Sequence, residues 1–257
     1  MTVIKKIKEA AKNSNSSLLK EEVYLNTELN LYDFIDNEKL LQVYVDVPLG
    51  NIVSLGRQDF WREGETWIDV VQHLHGNEWS DEVFKYFESE LKEKDFPAPS
   101  SMYQLRLTCY GGICKCGNGN HRLVAAKAWL IASYGDKASL KKAKVSYYPL
   151  KHEIKEVFKI LSKKGSSVLI SSVEFNEQLE FPDTTYFFIS KSYPEKVYAL
   201  KNNKVIEIKQ KKSFYKKMIS HWQEPWHEKR EWKEIPHQTI IKMLDDEWFN
   251  NYEYQDD

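Results

Sequence analysis

Cys116-Gly117-Asn118-Gly119-Asn120-His121-Arg122 runs without a break into Leu123-Val124-Ala125-Ala126-Lys127-Ala128-Trp129. The first half reads as a turn, because Gly117, Asn118, Gly119 and Asn120 are residue types that tolerate positive φ. The second half reads as an apolar, Ala-rich helix start. A helix that begins on a Gly-rich turn aims its unbonded N–H groups and the positive end of its dipole at one point, which is an anion site. His121 and Arg122 fall in its first turn, where a cation is disfavoured unless an anion balances it. A connection chosen for shape alone needs only Gly and Asn. The mismatch points to phosphate.

Upstream, Tyr103 to Tyr110 reads as a strand with Leu105 and Leu107 on one face. Gly111-Gly112 is a hairpin turn, and Ile113 to Cys116 is the return strand that delivers the Gly-rich turn. Downstream, Gly135-Asp136 breaks the helix after Tyr134, and Ala143 to Tyr148 is a further strand. Before the hairpin, Gln42 to Val47 alternates with period two and ends at Pro48-Leu49-Gly50. Trp67, Val70, Val71 and Leu74 suggest a helix, and a second spans Ser80 to Lys94, with Ser80 as N-cap and Val83, Phe84, Phe87 and Leu91 at helical spacing. Strand, helix, hairpin, turn, helix and strand make an α+β unit over residues 42–150.

Residues 1–41 form an N-terminal segment: a basic amphipathic helix with Val3, Ile4, Ile7, Ala10 and Ala11 on one face, then a polar break and a second short helix. The first helix reads as packed on the body with a solvated face, rather than as a DNA- or membrane-touching arm. Residues 151–257 read as a C-terminal α+β module. It has a helix over 151–164, strands at Val168–Ile170, Tyr186–Ile189, Lys196–Leu200 and Lys204–Ile208, a hairpin at Asn202-Asn203, and a last helix from Gln238 to Trp248. The lysine-rich stretch Lys209–Lys217 and Trp222, Trp226 and Trp232 offer a charge-and-stacking surface for nucleic acid. A solvated hairpin end followed by core Trp residues accounts for them as well.

Thirty-seven Lys and Arg nearly cancel thirty-eight Asp and Glu, so no global basic field advertises nucleic acid. No apolar run approaches the ~18 residues of a membrane span, and no secretory leader is evident, so the expectation is a cytoplasmic protein without a membrane partner. Cys109, Cys114 and Cys116 are too few and too clustered for a disulfide framework. Cys114, Cys116 and His121 could ligate zinc, but no second pair stands at ligand spacing, and buried thiols in a hairpin is the better reading.

Three pieces in order resemble the ParB/sulfiredoxin-like superfamily. Pro48-Leu49-Gly50-Asn51-Ile52 after a strand resembles its first box. Glu90-Leu91-Lys92-Glu93-Lys94-Asp95-Phe96 resembles its S-I-K-E-x-G-L helix end. Gly119-Asn120-His121-Arg122-Leu123-Val124-Ala125-Ala126 looks like its signature, which reads G-E-R-R-x-x-A-A in chromosome-partition proteins, G-C-H-R in sulfiredoxins and D-G-H-H-R in free-serine kinases. The resemblance covers residues 42–150 and implies a ParB/sulfiredoxin-like domain followed by a C-terminal α+β extension. It also implies a site for ATP, ADP or CTP, with Gly117, Asn118, Gly119, Asn120, His121 and Arg122 holding phosphate. Asn120 stands where sulfiredoxins keep their reactive cysteine, Asn118 where the serine kinases have Asp, and Glu90 where partition proteins have Ser. No helix-turn-helix of the partition type follows.

Arg57 and Arg62 could aid phosphate binding. Phosphoryl transfer needs a carboxylate for Mg²⁺ or for the nucleophile, and Asp59, Glu63, Glu65, Asp69 and Glu90 are the candidates. His121, Glu90 and Glu65 are the catalytic candidates, and His73 and His75 weaker ones. Three functions are expected in order: nucleotide binding with phosphoryl transfer or hydrolysis, metal-dependent DNA cleavage, and a non-enzymatic binding module.

Overall fold

The computed structural model describes residues 1–25, 31–76, 78–99, 101, 103–162, 168–173, 185–190, 196–201, 204–208 and 233–255. Its helices are α1 (Val3–Asn13), α2 (Trp67–Gln72), α3 (Glu82–Glu88), α4 (Asn120–Tyr134), α5 (His152–Ser162) and α6 (His237–Leu244). Its strands are β1 (Tyr24–Leu25), β2 (Leu41–Pro48), β3 (Ile52–Leu55), β4 (Arg106–Tyr110), β5 (Ile113–Asn118), β6 (Ser139–Tyr148), β7 (Val168–Val173), β8 (Thr185–Ser190), β9 (Lys196–Lys201), β10 (Lys204–Ile208), β11 (Lys233–Ile235) and β12 (Glu253–Tyr254). Contacts divide the chain into Met1–Leu150 with Asp245–Asp257, and Lys151–Leu244. The division falls after Leu150. The segment 1–41 and the last residues, however, pack with the first unit.

The first unit is α+β, a seven-stranded mixed sheet in the order β1-β3-β5-β4-β6-β2-β12. The hairpin at its centre follows from Gly111-Gly112: Gly111 takes φ +56, and Tyr110 pairs with Ile113. Counting back along both strands puts Cys109 opposite Cys114, and these two are disulfide-bonded. That corrects the reading of free thiols, because direct cross-strand neighbours are close enough to bridge. Cys116 stays free and buried.

Gly119, with φ +92, turns the chain from β5 into α4. Nearly every residue of α4 from Leu123 to Ile131 is buried, so the helix lacks a polar face and runs through the core. Its alanines let neighbours approach. One neighbour is α1, which buries Val3, Ile4, Ile7 and Ala11 and keeps its lysines outside, where Lys6 pairs with Asp81 at 2.8 Å. The packed-helix reading of α1 is what forms. On the buried side of α4, Lys127 donates to the carbonyls of Leu49 (2.9 Å) and Ile52 (2.7 Å), and its ammonium lies 4.0 Å from the Trp67 ring centroid. The charge satisfies two carbonyls around the 3₁₀ turn Leu49–Asn51.

Several elements differ from the expectation. β3, four residues long and buried throughout, pairs in parallel with β5 and has no alternation to reveal it. The helix expected to 94 ends at Glu88, and Ser89 takes an extended backbone. In 23–41 the described residues form β1 and 3₁₀ turns at Leu31–Phe34 and Asn37–Lys39. The last helix stops at Leu244, a 3₁₀ turn follows at Glu247–Asn250, and the acidic end adds β12 to β2. Glu253 of β12 is held by Lys142 (2.6 Å) and Lys92 (3.1 Å).

The second unit is a five-stranded antiparallel sheet, β10-β9-β8-β7-β11, with α5 and α6. α5 buries Ile154, Val157, Phe158 and Leu161, and His237 at the start of α6 meets the Ser162 carbonyl at 2.8 Å. Asn202-Asn203, the stretch Lys209–Lys217, and Trp222, Trp226 and Trp232 lie outside the described residues.

Candidate functional site

β5 delivers Gly117 and Asn118, Gly119 makes the corner, and α4 begins at Asn120. The Leu123 N–H donates to the Gly119 carbonyl at 2.8 Å and closes the first helical ring. The amides of Asn120, His121 and Arg122 therefore point out of the helix end. They open into a cleft of about 560 Å³, a size suited to a small ligand, whose walls include Arg57, Asp59, Trp79 and Tyr103. Gly56, after β3, comes so close to β5 that a β-carbon would stand 2.6 Å from the Cys116 carbonyl oxygen. Its N–H donates to the Asn120 side-chain oxygen at 2.9 Å. Asn120 thus ties the cleft's two walls together through its side-chain oxygen. Asn118 likewise donates its side-chain amide to the Gln104 carbonyl at 2.7 Å.

Arg122 folds back over the turn. A β-carbon on Gly119 would stand 2.9 Å from its Nε, so glycine is needed there both for φ and for the guanidinium. Nη1 donates to the Tyr103 carbonyl at 2.6 Å, and the guanidinium carbon sits 5.5 Å from the Phe96 ring centroid. Only 8% of the residue is exposed. Burial lowers its pKa, against the pull of Tyr86 and Cys116, but a guanidinium starts high enough to stay charged. The thiol of Cys116 is pushed up to about 12 by burial, with Arg122 pulling the other way, so it carries no thiolate near neutral pH.

His121 stacks on Phe60, ring centroids 3.8 Å apart, and meets His75 edge-on at 4.2 Å. Its pKa is pushed down to about 4, first by burial and then by His75, with Asp59 opposing. The ring is therefore neutral at pH 7. Its Nδ1 is sealed from solvent and has no hydrogen-bond partner among the described residues. The cationic mismatch expected at this helix start thus rests on Arg122 alone.

The structure brings Gly117 to Arg122, Arg57 and Asp59 together, and adds His75. Two catalytic candidates serve elsewhere. Glu65 accepts the Arg62 N–H at 3.0 Å and meets His73 Nε2 at 3.0 Å, and it is not part of the cleft wall. The backbone of Glu90 forms an isolated bridge to Lys141 of β6, and the residue is not part of the cleft wall. Asp69 closes a capping box with Thr66 at the start of α2, a bond that lowers its pKa. The Thr66-x-x-Asp69 spacing announces that role. Cys114 is bonded to Cys109, which removes it from a zinc set with Cys116 and His121. Trp79 and Tyr103 also line the cleft, both from loops, because the strand expected from Tyr103 begins only at Arg106.

No family model, no curated protein and no solved structure matches the chain. No helix among the described residues is long and apolar enough to cross a membrane.

Proposed function

We propose that the cleft at the start of α4 binds the phosphates of a nucleotide, ATP, ADP or CTP, in a ParB/sulfiredoxin-like domain. The observation that carries this reading is the meeting of the α4 amides with the buried Arg122 guanidinium and with Arg57 in one cleft. A buried cation at the positive end of a helix is unfavourable until an anion joins it, and a polyphosphate satisfies both. A neutral His121 adds a hydrogen-bonding group without a further charge. In this reading His121 takes a proton from an attacking water or hydroxyl, and Asp59 is the carboxylate that helps hold Mg²⁺ for phosphoryl transfer or hydrolysis.

Calorimetric titration with ATP, ADP and CTP, with and without Mg²⁺, tests the proposal. Arg57→Ala, at an exposed position, is expected to weaken binding about tenfold or more, the worth of one charge-assisted contact. Arg122→Ala is expected to abolish it. Unchanged affinity in both variants would remove the reading.

A further inference from the structure

A second cleft, of about 380 Å³, shares Tyr103, Gly117 and Asn118 with the first. On its floor, Arg106 of β4 and Lys144 of β6 are register partners, side by side on one face of the sheet. Among the described residues neither has a carboxylate within ion-pair distance. Lys144 has only the Tyr44 ring, at 5.9 Å. Two adjacent cations without a counter-charge repel, and an anion between them removes the repulsion. Arg106 also borders the turn itself: a β-carbon on Gly117 would stand 3.6 Å from its Nε. Tyr103, at the junction, is 68% exposed although Arg122 holds its backbone. An exposed ring on an anchored backbone is a stacking surface.

We infer that the two clefts form one groove for single-stranded nucleic acid. One phosphate sits at the α4 amides with Arg57 and Arg122, the next between Arg106 and Lys144, and a base stacks on Tyr103. A charged groove that tracks the backbone beside an aromatic platform is how unpaired strands are bound, and only an unstacked base can use the ring. A net charge of −1 does not oppose this, because Arg57 and Arg122 line one cleft and Arg106 and Lys144 the other. The first seat rests on the phosphate reading above; the second and the platform are independent of it.

The test is fluorescence anisotropy of the full chain with labelled oligothymidylate of about twelve nucleotides, inside the ~4–16 nucleotide range of such grooves. An oligouridylate arm separates DNA from RNA. Binding is expected to weaken with salt, log K falling by roughly 1.4–3 per decade for two to four neutralised phosphates. The double variant Arg106→Ala, Lys144→Ala is expected to lose about tenfold or more at low salt while still binding ATP. Tyr103→Ala should lose about tenfold, the worth of one stacked base. Arg106→Glu alone, at an exposed position, repeats the test if the double variant does not fold. No oligonucleotide binding overturns the inference, as does wild-type affinity in the double variant or a Tyr103→Ala variant that binds as tightly as wild type. ATP binding without oligonucleotide binding overturns this inference alone. Oligonucleotide binding by a protein that takes no mononucleotide overturns the mononucleotide reading and the first seat, and leaves the Arg106–Lys144 seat and the Tyr103 platform standing.

Discussion

The side-chain oxygen of Asn120 accepts the Gly56 N–H at 2.9 Å, and so the first residue of α4 fastens the loop that follows β3. Asn120→Ala leaves that amide without its partner and is expected to cost about 1–2 kcal/mol in denaturant unfolding. Asn120→Asp keeps an acceptor and should lose less. Equal losses in the two variants would mean that the bond is not what stabilises the turn.

Gly119→Ala is expected to destabilise by about 1–2 kcal/mol from the left-handed backbone alone. The added methyl would also push Arg122 from its place, since it would stand 2.9 Å from Nε. Nucleotide affinity should therefore fall together with stability, in calorimetry and in urea melts of the same sample.

His121 gives a signed pH effect. Its folded pKa, pushed down to about 4, lies below the ordinary value of 6.5, so the unfolded chain binds the proton more readily. Its contribution is fully present above pH 6.5 and is lost as the pH falls toward 4, with a slope of at most about 1.4 kcal/mol per pH unit for one proton. His121→Phe keeps a ring against Phe60 and is expected to flatten the stability profile between pH 7 and 4.5. A bound phosphate should raise the His121 pKa, visible as a shifted imidazole titration by NMR.

Lys127→Met removes the donor to Leu49 and Ile52 and leaves two buried carbonyls, at about 1–3 kcal/mol each. The expected result is a large loss of stability in chemical denaturation, with the melting transition remaining cooperative.

Reduction of Cys109–Cys114 releases a short loop and is expected to lower stability by about 2 kcal/mol. Cys116, buried with its thiol pKa near 12, should resist alkylation in the folded protein. Mass spectrometry after iodoacetamide treatment should find it labelled only when denaturant is added.

The centre of the sheet and the corner of the site were legible because short-range chemistry decides them. Gly111-Gly112 admits one tight hairpin, and the alternation in β2 is plain. Gly119 before an Ala-rich run permits little besides a left-handed corner and a buried helix. β3 escaped because a short strand buried on both faces has no period. The Cys109–Cys114 pair was readable by counting outward from the glycines, yet the clustering of three cysteines argued against it. Of the cleft's other walls, Arg57 and Asp59 were candidates by residue type, and both line it; Trp79 and Tyr103 are brought to α4 by loops, and nothing local to them says where they end. Glu65 and Glu90 show the reverse failure. They are carboxylates of the right type, but Glu65 meets His73, the backbone of Glu90 pairs with β6, and neither lines the cleft.

The pairing of β12 with β2 also sets an order of events during synthesis. Tyr44 leaves the ribosome some two hundred residues before its partner Glu253. At about 5–20 residues per second, β2 stays an open edge for on the order of ten seconds or more while residues 151–244 are made. An unpaired edge invites wrong pairings, so the first unit's sheet is complete only once Glu253 and Tyr254 have been made. Lys92 and Lys142, waiting for Glu253, then act as a latch that closes once β12 has paired.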